Sequence, residues 1–261
     1  MKRKTVLYDK SDNVGIITLN RPDKLNAINF DMLEELWTIL QSIITDDEVR
    51  VILLIGAGRY FSAGADLEIV RTMTPVAFRW RQRQYWNRVF NEFEEIQKLT
   101  IAALNGPAIG GGLELALCCD LRYSTDDAIF SLPEINFGIL PDSGGTVRLP
   151  WLVGPARAKE LILSGESISA RRAEELGLVN RVFPRETFDN EVNKIALKMA
   201  QKAPLAVGIG KQLINRSFQH KDIKAGLEEA TDVQSLLISS HDYQEAIKAL
   251  NEKRPPVFRG R

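Results

Sequence analysis

Histidine and cysteine are nearly absent, with two of each in 261 residues. His220 and His241 both lie near the C-terminus, so a histidine-based nucleophile triad or a multi-histidine metal site has almost no raw material. Cys118 and Cys119 are adjacent within an apolar helical pattern, which suits neither a disulfide framework nor a metal cluster and reads as two small core residues. An excess of one charge is lacking too, since Lys plus Arg and Asp plus Glu both total 34. That balance gives no whole-protein field of the kind that gathers nucleic acid. No apolar run approaches the roughly 20 residues that span a bilayer, so membrane insertion is not expected. The basic start, Met1 to Lys4, leads to Asp9, Lys10, Asp12 and Asn13 and not to a signal-peptide core. A cytoplasmic protein is the expectation.

What is present suits a sizeable folded core. The apolar fraction of 44% and the charged fraction of 26% sit near globular averages. Val14 to Leu19 and Val51 to Ile55 are short aliphatic runs that end in turn chemistry, Asn20-Arg21-Pro22-Asp23 and Gly56-Ala57-Gly58, and read as buried strands. Between them Leu33, Leu36, Trp37, Leu40, Ile43 and Ile44 recur at helical spacing. The alternation continues with a helix over about 75–98, an apolar run from Ile101 to Leu104, a helix opening near Gly112, and Phe130-Ser131 leading into a Gly/Pro-rich loop from Pro133 to Gly145. Loops of that length are often functional. Helical patterns follow at Ala156 to Leu163 and Ala170 to Leu176, and past Pro184 the strand signals fade into helices. The fold class expected is α/β, with a core over residues 1–200 and a helical subdomain over 201–261.

The segment Asn105-Gly106-Pro107-Ala108-Ile109-Gly110-Gly111-Gly112-Leu113-Glu114 is the most informative. Consecutive glycines between a strand and a helix let the backbone approach a ligand without side-chain obstruction. They also leave N–H groups unpaired at a helix N-terminus, where the macrodipole favours negative charge. A tight strand-to-helix turn would use the same residues. A second small-residue turn, Phe61-Ser62-Ala63-Gly64-Ala65-Asp66-Leu67, follows another apolar strand, and two donors from different loops are what an oxyanion hole requires. Neither cluster has the Gly-Lys-Ser/Thr ending of a phosphate loop. Gly56-Ala57-Gly58 lacks the third glycine of a dinucleotide fingerprint, because Phe61 stands there. No Gly-x-Ser-x-Gly elbow surrounds Ser62 or Ser143. ATP, NAD and serine hydrolysis are disfavoured.

Taken in order along essentially the whole chain, these motifs resemble the enoyl-CoA hydratase/isomerase family, also called the crotonase family. Asn20-Arg21-Pro22-Asp23-Lys24-Leu25-Asn26-Ala27 is similar to its CoA-side loop, and Phe61 to Leu67 to its first oxyanion segment. Asn105 to Glu114 is similar to its second, and Pro133-Glu134 to its second acid/base loop. The resemblance implies a spiral of ββα units, a helical C-terminal trimerisation region, and a homo-oligomer, either a trimer or a dimer of trimers. It implies an acyl-CoA thioester substrate whose carbonyl oxygen accepts hydrogen bonds from the N–H groups of Ala65 and Gly111. Coenzyme A arrives as part of that substrate, so no separate cofactor and no metal is expected. Lys24, Leu25, Ala27, Ala63, Asp66 and Leu67 would line the CoA arm. Lys253 resembles a C-terminal basic residue that meets the 3′-phosphate, although a charged helix end accounts for it equally well.

Addition of water to an α,β-unsaturated thioester develops enolate charge on the carbonyl oxygen, and preorganised N–H donors lower that barrier. The water must lose a proton while the α-carbon gains one, which calls for carboxyl groups near both carbons. Glu114 and Glu134 are expected to meet that need as a titrating pair, Glu114 activating the water and Glu134 giving the proton. Each has a plainer account, Glu114 as a first-turn helix carboxylate and Glu134 as an exposed loop carboxylate. Asp142 departs from the family pattern, since hydratases usually carry Pro-Gly-x-Gly-Gly where this chain has Pro141-Asp142-Ser143-Gly144-Gly145. Some double-bond-shifting relatives are acidic there, and a turn-forming Asp is the simpler reading. Enoyl-CoA hydratase is therefore the leading expectation, and a double-bond isomerase using Glu134 and Asp142 the nearest alternative. A third is a non-catalytic RNA-binding member of the fold, favoured only by the run of Arg79, Trp80, Arg81, Arg83, Tyr85, Trp86 and Arg88. Glu92, Glu94 and Glu95 share that expected helix, which more simply borders the acyl pocket.

Overall fold

The computed structural model of the chain describes residues 4–71, 73–218 and 222–261; His220 and the first three residues of the basic start lie outside them. β1 (Val6–Ser11) and β2 (Val14–Leu19) form an antiparallel hairpin whose two-residue turn, Asp12-Asn13, sits at φ 52° and 66°. That left-handed geometry matches the twist of the flanking strands. The parallel strands β3 (Val51–Gly56), β4 (Leu99–Leu104), β6 (Leu121–Thr125) and β9 (Arg181–Phe183) extend it into a six-stranded sheet of order β1-β2-β3-β4-β6-β9. A smaller sheet holds β5 (Ala108–Ile109), β7 (Ile129–Ser131) and β8 (Ile168–Ser169). After β2, β3, β4 and β6 the chain lays a short rung in this second layer before its helix. Ile28 bridges Ala65, Ser62 bridges Ala108, and Ala108 pairs with Phe130. Repeated strand, rung and helix make the expected spiral.

The helices are α1 (Phe30–Ile44), α2 (Leu67–Val70), α3 (Pro75–Arg81), α4 (Arg88–Glu95), α5 (Gly111–Leu117), α6 (Gly145–Val153), α7 (Pro155–Ser164), α8 (Ala170–Glu175), α9 (Arg185–Ala200), α10 (Pro204–Ser217), α11 (Ile223–Ile238) and α12 (His241–Glu252). α1 starts where the Asn29 side chain accepts the Met32 N–H at 2.9 Å, and it buries Leu33, Leu36, Leu40 and Ile43 at the expected spacing. Side chains alternate across the large sheet. Ile17, Ile52, Leu54, Ala102 and Leu104 join α1 in one core, and Val14, Val51, Leu53, Ile101 and Ala103 meet Phe188, Val192 and Ala196 of α9 in the other. Coverage on both faces explains why β3 and β4 read as unbroken apolar runs. No helix among the described residues is long and apolar enough to cross a membrane.

Four features differ from the sequence reading. The helix expected over 75–98 is α3 and α4 joined by a π-helical stretch, Gln82–Asn87. Its wider turn resets the helical phase, so Trp86 meets Gly111 while Val89, Phe90 and Phe93 stay buried. β1 is an edge strand whose exposed Asp9 and Lys10 break its apolar pattern. β6 buries Arg122, Ser124 and Thr125, and the Arg122 guanidinium donates to the carbonyls of Leu178 (2.8 Å) and Cys119 (2.6 Å), so a polar strand is satisfied from within. α6 begins directly at the end of the Gly/Pro-rich loop, with Pro150 inside it.

Two buried amides fix the loops that carry the site. At the end of β4 the Asn105 side chain accepts the Gly56 N–H (3.0 Å) and donates to the carbonyls of Gly56 (2.8 Å) and Gly58 (3.0 Å). Asn26, at φ 55°, donates to the carbonyls of Ala57 (2.9 Å) and Tyr60 (2.7 Å) and accepts the Arg21 N–H (2.9 Å).

Candidate active site

The rungs open onto a cavity of about 910 Å³. Gly110 caps α5 at φ 51° and ψ −127°, a backbone shape open to glycine, and a Cβ there would strike the Glu134 carboxylate. A Cβ on Gly112 would strike Ser62. One on Gly111 would press on the Trp86 ring and stand 3.5 Å from the Ala65 nitrogen. The glycines thus let α5 dock against the 62–65 rung, with the Ala65 and Gly111 N–H groups side by side. Neither N–H has a hydrogen-bond acceptor among the described residues.

Glu114, one turn into α5, is 3% exposed. Its Oε1 accepts the Gly145 N–H at 2.8 Å. Burial pushes its pKa up to about 8; the Gly145 N–H opposes the rise, and the charges of Glu134 and Asp142 add to it. Glu134 stands in the first turn of the 3-10 helix Pro133–Phe137. Its Oε2 is buried and receives no hydrogen bond from the described protein groups. Burial, then the charge of Asp142, raises its pKa. Asp142 is accessible from the cavity, yet enclosed enough that burial raises its pKa too. Three carboxyls that resist ionisation therefore share one cavity with two free N–H donors.

Of the CoA-arm residues, Ala63, Asp66 and Leu67 line the cavity. The Asp66 carboxylate pairs with Arg21 at 2.8 Å and caps α2 by accepting the Glu68 N–H at 3.3 Å. Lys24 and Leu25 form the end of the 3-10 turn Pro22–Lys24, and the Leu25 carbonyl accepts the Ala63 N–H at 2.9 Å, so this turn sits directly behind the rung. The Ala27 carbonyl accepts from the Arg21 guanidinium at 2.6 Å. Lys253 ends α12 at φ 55°, exposed and outside the cavity lining. Pro75, Phe78, Gln82 and Trp86 place the expected acyl-side helix on the wall, opposite Phe137, Ile139 and Leu140. Among the described residues no group of three or more His, Cys, Asp or Glu side chains converges as a metal site would require.

Two participants left no mark in the sequence. Gln82 donates to the Ser143 hydroxyl at 2.7 Å, linking the π-helical stretch to the loop beside Glu114. Arg148 donates to Glu94 (2.8 Å), Asn91 (2.8 Å) and the Ser143 carbonyl (3.2 Å). Glu94 and Asn91 lie far from Arg148 in the chain, and only a charge count along facing helices points to the Arg148–Glu94 pair.

The model of the enoyl-CoA hydratase/isomerase family matches residues 9–261. A short-chain-enoyl-CoA hydratase of Clostridium acetobutylicum is 39% identical over 255 residues, covering 97% of this chain and 97% of that protein. A 2,3-dehydroadipyl-CoA hydratase of Escherichia coli is 38% identical over 257 residues, covering 98% and 99%. The crystal structure of an enoyl-CoA hydratase from Bacillus anthracis is similar with a TM-score of 0.94 at 37% identity, covering 98% of this chain and 100% of that one.

Proposed function

The chain belongs to the enoyl-CoA hydratase/isomerase family, and we propose that it adds water syn across the double bond of a 2-enoyl-CoA to give a 3-hydroxyacyl-CoA. The observation that carries this reading is the pair Glu114 and Glu134 facing one cavity beside the Ala65 and Gly111 N–H groups. Full-length relatives named as hydratases support it. The thioester oxygen sits between the two N–H groups, where loss of one comparable donor in a protease costs about 2.7–4 kcal/mol. Water bound between the carboxyls gives a proton to Glu114 as its oxygen bonds the β-carbon. The enolate then takes a proton from Glu134 at the α-carbon. With the Glu114 pKa pushed up to about 8, the protein groups alone favour a proton shared by the pair on Glu114. The productive arrangement is the one with that proton on Glu134.

Incubation with crotonyl-CoA is expected to bleach the conjugated-thioester absorbance and to yield a product heavier by one water, read by mass spectrometry. A folded protein that leaves crotonyl-CoA and longer enoyl-CoAs unchanged sinks the reading. Asp142 favours a second one, because it shares the cavity and its charge acts on Glu134. There Glu134 and Asp142 shift the double bond, and the product carries solvent deuterium without added water.

Lys24, Leu25, Ala27, Ala63, Asp66 and Leu67 serve the CoA arm on this reading. The helices α10 to α12 serve subunit contact, because Ile214, Leu227, Leu236 and Leu250 stand exposed on them. Lys253, outside its own chain's cavity, then serves the 3′-phosphate of CoA bound by a neighbouring subunit.

A further inference from the structure

We infer that Arg148 is a positioning residue: by tying the 143–145 turn to α4, it holds the Gly145 N–H on the Glu114 carboxylate. Arg148 lies in the first turn of α6, and its side chain is 14% exposed. Its guanidinium runs back over the turn that starts its own helix. Nη1 donates to the Ser143 carbonyl at 3.2 Å, while Nε and Nη2 donate to Glu94 and Asn91 on α4, each at 2.8 Å. Gly144 makes room for this path, since at φ 133° a Cβ would strike the guanidinium. Gln82 ties the same turn from the other side through the Ser143 hydroxyl, at 2.7 Å. The first N–H of α6 is thereby fixed 2.8 Å from Glu114 Oε1. A lysine could carry the charge but not the fork of donors. The 138–144 stretch has no regular structure; Thr146 bonds back to the Pro141 carbonyl within the turn, and Arg148 and Gln82 are the side chains that tie the turn to the 82–94 helical segment.

The proposal rests on the hydratase reading for its rate arm and on none for its spectroscopic arm. Three variants test it: Arg148→Met, Arg148→Lys, and Glu94→Ala, the last removing the anchor from the surface of α4. Losing the N–H bond to an ionised carboxylate makes that carboxylate hold its proton more tightly; loss of the Arg148 charge acts the same way, whereas loss of the Glu94 charge acts the opposite way, so an upward shift in Glu94→Ala reports the positioning. Arg148→Met is expected to lower kcat by about 100-fold with KM little changed. The alkaline limb of the kcat profile should move up by about one pH unit. Glu94→Ala should move it the same way by less, and Arg148→Lys should recover only part of the loss. The carboxyl infrared band that Glu114→Gln removes should titrate higher by the same amount, without any turnover. A folded Arg148→Met or Glu94→Ala protein whose limb and band match the parent overturns the inference. So does a rate that falls equally at every pH. Should the parent fail to hydrate enoyl-CoA, the functional reading falls while the infrared titration still decides the role of Arg148.

Discussion

Glu114 is a carboxyl that the fold prefers to keep protonated. Its pKa rises from 4.5 to about 8, so between those values the folded chain binds a proton that the unfolded chain has released, and stability falls as pH rises through that window. Glu114→Gln should therefore be more stable than the parent near pH 8 and nearly equal to it near pH 4.5, a comparison made by denaturant melts at the two pH values. The same replacement, like Glu134→Gln, should cost about 10²–10⁴ in kcat for hydration, measured by the loss of enoyl-thioester absorbance. Normal turnover in both variants would remove the two-glutamate mechanism. The parent's kcat should be bell-shaped in pH. Above about 8 both carboxyls are ionised and none can protonate the α-carbon; below the raised pKa of Glu134 both are protonated and none can accept from water. A profile flat from neutrality to well above 8 would exclude the shared-proton scheme. Glu114 and Glu134 stood out in the sequence through the family resemblance, Glu114 behind the glycine run and Glu134 in Pro133-Glu134. Arg148 did not, because its meaning lies in Glu94 and Asn91, brought beside it only by the fold.

The helix α5 carries both a proposed oxyanion donor, Gly111, and Glu114, so a small displacement of this element disturbs two functions at once. Gly112→Ala tests this, since its Cβ would meet the backbone and side chain of Ser62 on the neighbouring rung. A kcat loss of about 100-fold is expected, together with a lowered melting temperature. Gly138→Ala is the contrast: no atom lies within 4 Å of its Cβ position, but its φ of 72° strains any L side chain. It should cost about 1–2 kcal/mol of stability in a urea melt and leave kcat near the parent value. Equal kcat losses in the two would contradict the docking argument. At this scale the sequence spoke where packing is two-sided and apolar, as in β3, β4 and α1. It was silent where polar groups are satisfied internally, as in β6, or where a π-helical turn shifts the phase, as at Gln82–Asn87.

The whole molecule assembles its site from rungs contributed by successive turns of the spiral: 62–65, 108–111 and 129–134. The motifs were readable in order, but no single segment announces that they stack, because parallel neighbours are joined only by long crossovers. The exposed apolar residues of α10 to α12 belong to the same scale. Changing Leu227 and Leu236 together to Glu, at 63% and 69% exposure, should reduce the particle mass seen by light scattering. An unchanged mass would place subunit contact elsewhere.

Asn105 is followed by Gly106, the pairing in which the next backbone nitrogen most readily attacks the side-chain amide and expels ammonia. While the fold is closed, hydrogen bonds to Gly56 and Gly58 keep that amide from turning toward its attacker. The native state therefore stops a chemical clock that runs whenever β3 and β4 separate. A chain that has aged there carries a carboxylate facing the Gly56 and Gly58 carbonyls, which it can no longer serve as a donor, so the loops do not close again. Irreversible loss on heating should be written first in this one peptide.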